Sequence, residues 1–115
     1  MKLIIAGGRK YKFTSADITL LDHIKHRITE IVHGGAAGVD TEAGIYAQVY
    51  NIPCKVFKAD WDKFGKSAGH LRNRDMAVYA DAVLLFPGGR GTESMRRFAV
   101  KYNLIILDYR MKGVE

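Results

Sequence analysis

The chain has 115 residues, of which 48% are hydrophobic and 26% charged, and its formal net charge is +6. That size is one ordinary domain, residues 1–115, with a single core, and the composition excludes a disordered chain. No apolar run approaches the roughly 20 residues of a bilayer crossing, so no membrane partner is expected, and the surplus of Lys and Arg suits either a phosphorylated small molecule or nucleic acid unless it is only scattered surface lysine.

Met1 to Ala6 is too short for a secretory segment and reads as a first strand, Leu3-Ile4-Ile5-Ala6. A helix over Asp17 to about Arg27 follows, because Ile18, Leu21, Ile24 and Ile28 share one helical face. Glu30-Ile31-Val32-His33 is a second strand, and Val39 to about Tyr50 a second helix. Pro53 introduces a third strand, Cys54-Lys55-Val56-Phe57, in which Cys54 reads as a buried strand residue beside Val56. Lys58 to Gly69 has no period and reads as a long loop; Leu71 to about Tyr79 is helical. Ala82 to Phe86 is a fourth strand, Thr92 to about Tyr102 a helix, and Leu104 to Asp108 a last strand. The tail from Tyr109 to Glu115 is basic, and its end is expected to be loose. A single cysteine rules out an internal disulfide and fits a reduced compartment such as the cytoplasm.

Strands alternating with helices predict an α/β fold: a Rossmann-like three-layer α/β/α sandwich with a five-stranded parallel sheet, right-handed crossovers and strand order 3-2-1-4-5. Continuously apolar strands are those covered by helices on both faces. In such sheets ligands bind beyond the carboxyl ends of the strands, where the order reverses, here between the first and fourth strands.

The loops at that edge carry the chemistry. They are Gly7-Gly8-Arg9, then His33-Gly34-Gly35-Ala36-Ala37-Gly38-Val39-Asp40, then Asp60-Trp61 with Gly65 to Gly69, and Pro87-Gly88-Gly89-Arg90-Gly91-Thr92. Glycine lets a ligand approach the main chain, and a loop that ends at a helix start aims amide groups and the helix dipole at an anion. Thr92 can cap the last helix or donate to a phosphate oxygen, and Asp40 can meet a ribose hydroxyl. The alternative is that the glycines only make tight strand-to-helix turns; their convergence from several loops on one edge favours a ligand site. Arg72 can hold phosphate bidentately and Asn73 can read a base or ribose edge, unless they are simply a solvated helix start. Arg9 faces the same edge, Lys66 can fold over an anion, and Arg90, inside the glycine loop, can face solvent instead. Trp61 either stacks on a base or packs its loop down. His70, near Arg72, can join the site; His23 and His26 are expected to face solvent. No spacing of His and Cys suggests a metal, no serine, histidine and acid set shows triad character, and no cofactor is implied.

At Pro87 to Thr92 the sequence resembles the Pro-Gly-Gly-x-Gly-Thr signature of the SLOG superfamily, which includes the lonely-guy phosphoribohydrolases and the DNA-processing protein DprA. Gly7-Gly8-Arg9, His33-Gly34-Gly35-Ala36-x-Gly38-x-Asp40, Ala59-Asp60-Trp61, Gly65-Lys66-x-Ala68-Gly69 and Arg72-Asn73-x-x-Met76 resemble, in order and spacing, its YspA/YpsA-related branch of small bacterial and phage proteins. The resemblance runs from Lys2 to about Leu107. It implies a Rossmann-like fold and a nucleotide-related ligand, and it makes a homodimer through the helices beside the sheet a candidate assembly. In the lonely-guy enzymes the signature continues Gly-Thr-x-Glu-Glu. Here Glu93 follows Thr92 directly, and Ser94 and Met95 stand at the two glutamate positions. A shift of one residue turns a helical side chain by about 100°, so Glu93 is read as favouring the helix dipole.

The first reading is therefore a sensor or binding module for a nucleotide or nucleotide-derived phosphorylated ligand. It would be held by Gly7, Gly8, Arg9, Gly34, Gly35, Gly38, Asp40, Asp60, Trp61, Lys66, Arg72, Asn73, Gly88, Gly89, Gly91 and Thr92. The alternative is a hydrolase of phosphoribohydrolase type, cutting an N-glycosidic or phosphate-ester bond, with Asp40, Asp60 or Glu93 as its acid. Single-stranded nucleic acid ranks below both, because the aromatics are not interleaved with a basic stripe.

Overall fold

The computed structural model describes residues 1–111; the end of the tail, expected to be loose, lies outside the described residues. The chain forms β1 (Lys2–Ala6), α1 (Ser15–Ile24), β2 (Glu30–His33), α2 (Val39–Val49) and β3 (Cys54–Val56). It continues with α3 (Trp61–Phe64), α4 (Ala68–Tyr79), β4 (Ala82–Leu85), α5 (Arg90–Lys101) and β5 (Ile105–Asp108). All strand pairs are parallel, and the order is β3-β2-β1-β4-β5, as the alternation of elements predicts.

Period-two alternation along the central strands divides the core into two layers. Leu3 and Ile5 of β1 and Leu84 of β4 pack with Leu21 of α1 and Val39, Ala43 and Ala47 of α2. Ile4, Ala6, Val83 and Leu85 point the other way, onto Met76 and Ala77 of α4 and Met95 and Ala99 of α5. Helices thus cover both faces of β1 and β4, whose central residues are fully buried. At the switch point Phe86 is buried between Tyr11 and Phe13, with ring centroids 5.8 and 5.1 Å away. That aromatic contact fixes the loop after β4 against the loop after β1.

Local chemistry moves several boundaries. Helix α1 starts at Ser15 because Thr14 and Asp17 form a capping box: Thr14 Oγ1 accepts from Asp17 N–H at 3.2 Å and Asp17 Oδ2 from Thr14 N–H at 2.9 Å. Its expected end, Lys25–Arg27, tightens into a 3-10 turn. The stretch expected as one long loop contains α3 and a second 3-10 turn, Gly65–Ser67, before α4. Asp60 starts α3 by accepting the Lys63 N–H at 3.0 Å. Helix α4 therefore starts at Ala68, which places Arg72 and Asn73 in its second turn and not at its start. Cys54 is exposed, contrary to the buried reading, since β3 is a three-residue edge strand exposed along its length. No helix of the described residues is long and apolar enough to cross a membrane.

Candidate functional site

The glycine-rich strand ends meet at the carboxyl edge of the sheet, but they use their backbone groups differently. The loop after β2 is closed from within. The buried Asp40 takes the Gly34 and Ala36 N–H groups on Oδ2 at 3.2 and 3.1 Å, and His33 Nδ1 takes the Gly35 N–H at 3.0 Å. The Val39 N–H donates to Gly8 O at 3.2 Å. These amides, which the sequence offers to an anion, are already satisfied. Gly38 has φ +76°, and a Cβ there would overlap the Gly8 carbonyl and the Arg9 backbone. Only glycine tolerates that crossing.

The loop after β4 divides into a packed part and an open part. The Gly8 N–H donates to Pro87 O at 2.8 Å. A Cβ on Gly88 would overlap Thr92 Oγ1 and come within 2.7 Å of Gly8 N, so Gly88 is a close-packing glycine. Gly89 and Gly91 differ: a Cβ on either would meet nothing within 4 Å, and neither has a positive φ. Gly89 is the N-cap of α5 and supplies no side chain to cap it. The first amides of a helix have no intrahelical acceptor; in α5 they belong to Arg90, Gly91 and Thr92. Thr92 stands third in the helix and does not cap it. It is 4% exposed, and its hydroxyl makes no hydrogen bond to the described residues.

Helix α4 supplies the facing wall. Arg72 Nη1 donates to Gly34 O at 2.6 Å and Nε to Asn73 Oδ1 at 3.0 Å. Asn73 Nδ2 donates to Gly91 O at 3.2 Å and to Ser94 Oγ at 3.3 Å. One continuous chain of bonds thus runs from the β2 loop through Arg72 and Asn73 to the start of α5. Burial depresses the pKa of His33, with nearby Asp40 opposing and Arg72 adding to the shift. Burial raises the Asp40 carboxyl, against its loop amides, His33 and Arg72. Burial also lowers the Arg72 guanidinium, which Asp40 opposes and Arg9 reinforces.

Two adjoining compartments open between these elements. The first, about 270 Å³, is lined by Gly7, Gly8, Asp40, Asn73, Gly89 and Thr92, among others including Gly91 and Arg90. The second, about 260 Å³, is lined by Gly34, Gly35, Lys58 and Trp61. Arg9, Ala36 and Arg72 line both. Gly38 and Gly88 pack behind the cleft, Asp60 caps α3 and Lys66 is exposed in the turn Gly65–Ser67; these four line neither compartment. His70 is likewise outside, bonded through Nδ1 to Ser94 Oγ at 3.1 Å and set at a tilt against the Phe98 ring, with centroids 4.7 Å apart. Sequence reasoning missed Met76 and Met95, which line the first compartment. Their spacing was the available signal, since each stands three residues after a cleft residue, Asn73 or Thr92, on the same helix.

Glu93 is occupied elsewhere. It pairs with Arg96, Arg97 and Arg110, at 2.7, 3.2 and 2.9 Å, and these guanidiniums hold its carboxyl far below the usual range. Arg110 also pairs with Asp108 at 2.8 Å, so the cluster ties the end of β5 to α5. Among the described residues no group of three or more His, Cys, Asp or Glu gathers as a metal site would.

The model of the "YspA, cpYpsA-related SLOG family" matches residues 1–64. Over 119 residues the chain is 34% identical to the Gene 61 protein of Mycobacterium phage D29, covering 94% of this chain and 95% of that protein. The chain belongs to the YspA/cpYpsA-related SLOG family. The X-ray structure of TM1055 shares the fold of this SLOG chain, with a TM-score of 0.67 at 15% identity over 91% of this chain and 71% of that one. The family match covers the loops after β1 and β2 and reaches α3, whereas the alignment with the phage protein spans nearly the whole chain.

Proposed function

We propose that this SLOG chain is a binding or sensing module for a nucleotide or nucleotide-derived phosphorylated ligand, held in the cleft between the ends of β1 and β4. The observation that carries the reading is the start of α5. Its first amides and the unpartnered Thr92 hydroxyl border the cleft, beside two glycines whose side-chain space is empty. A helix start of this kind favours a phosphate group. The Arg9 and Arg72 guanidiniums add charge on the same side, and family membership is consistent with a nucleotide-related ligand.

The test is a thermal-shift titration with nucleoside monophosphates. A site-directed ligand raises the melting temperature of the wild-type chain, and Gly89→Asp abolishes that rise by placing a carboxylate where the phosphate would sit. Because a Cβ at Gly89 meets nothing within 4 Å, the variant keeps the parent's melting temperature. If no nucleotide raises the wild-type melting temperature while Gly89→Asp stays folded, the reading is wrong.

A hydrolase acting on the same ligand is the second reading, and Asp40 is the observation in its favour. It borders the first compartment with a carboxyl raised by burial, and both of its loop hydrogen bonds fall on one oxygen. An acid so placed suits proton transfer. Chromatography of each stabilising nucleotide after long incubation decides the matter; a ligand recovered intact removes this reading. Asp40→Asn keeps an oxygen for the Gly34 and Ala36 amides, so loss of turnover in that variant would report chemistry and not unfolding.

A further inference from the structure

We infer that the ligand carries two linked phosphates and that its base lies against Trp61, so that it spans both compartments. This rests on the proposed nucleotide site and goes on to name the ligand class. Ligand pockets run from about 300 to 1,000 Å³. At about 270 and 260 Å³ each compartment alone falls short of that range, and the two together lie within it. They are not separate sites, since Arg9 and Arg72 stand in the wall of both.

The donors are laid out in sequence across this double cleft. The α5 amides and Thr92 border the first compartment and suit a terminal phosphate. Arg72 stands one side chain away, joined to Gly91 O through Asn73. Its Nη1 and Nε groups are committed to Gly34 O and Asn73 Oδ1, which fixes the guanidinium in place and leaves Nη2 to donate. Arg9 is exposed and forms no ion pair with any described residue. A phosphate between Arg9 and Arg72, which both border the two compartments, would neutralise two like charges; burial is the main cause of the lowered Arg72 pKa, with Arg9 a smaller contribution. Arg9 can offer a whole guanidinium fork to phosphate oxygens, whereas Arg72, expected from the sequence to bind bidentately, keeps only Nη2 for them; such charge-assisted bonds are the strong ones.

Beyond that wall stands Trp61, 52% exposed although it is large and apolar. Gly69 explains how it reaches the cleft. A Cβ on Gly69 would lie 3.3 Å from Trp61 Cη2 and 3.7 Å from Arg72 Nη2, so the indole and the guanidinium come together over the bare backbone of α4. Lys58 borders the same compartment. An exposed indole at the mouth of a cationic cleft suits a flat heterocycle, whichever base it is. The order of groups is then base on Trp61, first phosphate at Arg9 and Arg72, second phosphate at α5.

Nucleoside mono- and diphosphates of adenine, guanine and uracil, with orthophosphate as the minimal probe, test this by calorimetry and by the fluorescence of the only tryptophan. For at least one base the diphosphate binds about tenfold tighter than the monophosphate, the gain of one charge-assisted contact. Arg9→Ala removes that preference without lowering the melting temperature. The preferred diphosphate quenches Trp61 and orthophosphate does not; Trp61→Ala weakens the diphosphate and leaves orthophosphate unchanged, whereas Trp61→Phe restores most of the affinity. Equal binding of mono- and diphosphates for every base, or tight diphosphate binding with unperturbed Trp61 fluorescence, overturns the inference and leaves the nucleotide site standing. Binding of none of these probes overturns both.

Discussion

Replacing Gly91 with alanine separates a glycine that the fold needs from one that a ligand needs. Gly91 is the second residue of α5, has no positive φ, and offers an added Cβ no neighbour within 4 Å. Alanine at such a position stabilises a protein by about 0.4–1 kcal/mol, mostly by narrowing the unfolded ensemble. The first helical turn holds the gain near the lower end, about 0.5 kcal/mol, or about 2 °C in melting temperature for a chain of this size. The same methyl group borders the cleft beside the amides proposed to meet phosphate. Losing one charge-assisted contact weakens binding about tenfold or more. A ligand held at about 100 times the wild-type Kd contributes about 2.7 kcal/mol to wild type and about half of that to the variant. Differential scanning fluorimetry with and without nucleotide reads both effects: a higher melting temperature alone and a roughly halved ligand shift. A lower melting temperature for Gly91→Ala would refute the claim that the fold leaves this position free. An unchanged ligand shift would refute the claim that the glycine serves ligand approach.

Gly88→Ala should behave oppositely and lose about 1–3 kcal/mol in urea unfolding, because its Cβ overlaps Thr92 Oγ1 and crowds Gly8 N; a neutral result would contradict the packing. Asn73→Ala removes the two Asn73 bonds from α4 to α5, leaving the one from His70 to Ser94, and should cost about 1–3 kcal/mol, with faster hydrogen exchange at the first turn of α5 than at its last. His33 should titrate below 6.5 by NMR. The unfolded chain then takes up that proton first, so the contribution of His33 to stability is complete above pH 6.5 and is lost as pH falls below it; a midpoint at or above 6.5 would rule out the buried imidazole. Asp40 acts in the opposite sense. Burial holds its folded pKa above the ordinary aspartate value, so the folded state keeps the proton longer and stability falls as pH rises from that ordinary value through the folded one. Asp40→Asn should flatten that fall in a melting-temperature profile.

The sheet order was legible because the strand and helix periods alternate without a break, and the switch point followed from that order. The strand-end loops were legible because glycines gather there. What each loop does was not. Asp40 looks equally fit for a ribose or for its own loop, and only the fold brings Gly34 and Ala36 round to its Oδ2. Gly88 and Gly91 are identical letters three residues apart; one is crowded from across the sheet by Gly7 and Gly8 and the other faces open space. Boundaries in the stretch before α4 failed for a local reason, since Asp60 capping a four-residue helix leaves no hydrophobic period to detect. Cys54 failed because an apolar strand reads alike at the edge and in the middle of a sheet.

The residues after Thr92 bear on the choice between holding a ligand and cutting it. At the two positions where the lonely-guy signature has glutamates, this chain has Ser94 and Met95. Ser94 turns toward α4, where His70 and Asn73 hold its hydroxyl. Met95 is 1% exposed, packs with the core beneath α5 and lines the cleft with Met76. An apolar floor of this kind gives a ribose a surface to rest on but neither accepts nor donates a proton. Glu93, the one carboxylate nearby in sequence, is neutralised by three guanidiniums on the far side of the helix turn. Proton transfer in this cleft would therefore fall to Asp40 alone, and Asp40 already spends one oxygen on keeping the β2 loop closed. A cleft with one fixed guanidinium, that of Arg72, open amides and a sulfur-lined floor would be largely organised before the proposed ligand arrived, which lowers the cost of binding and supplies little of what bond cleavage requires.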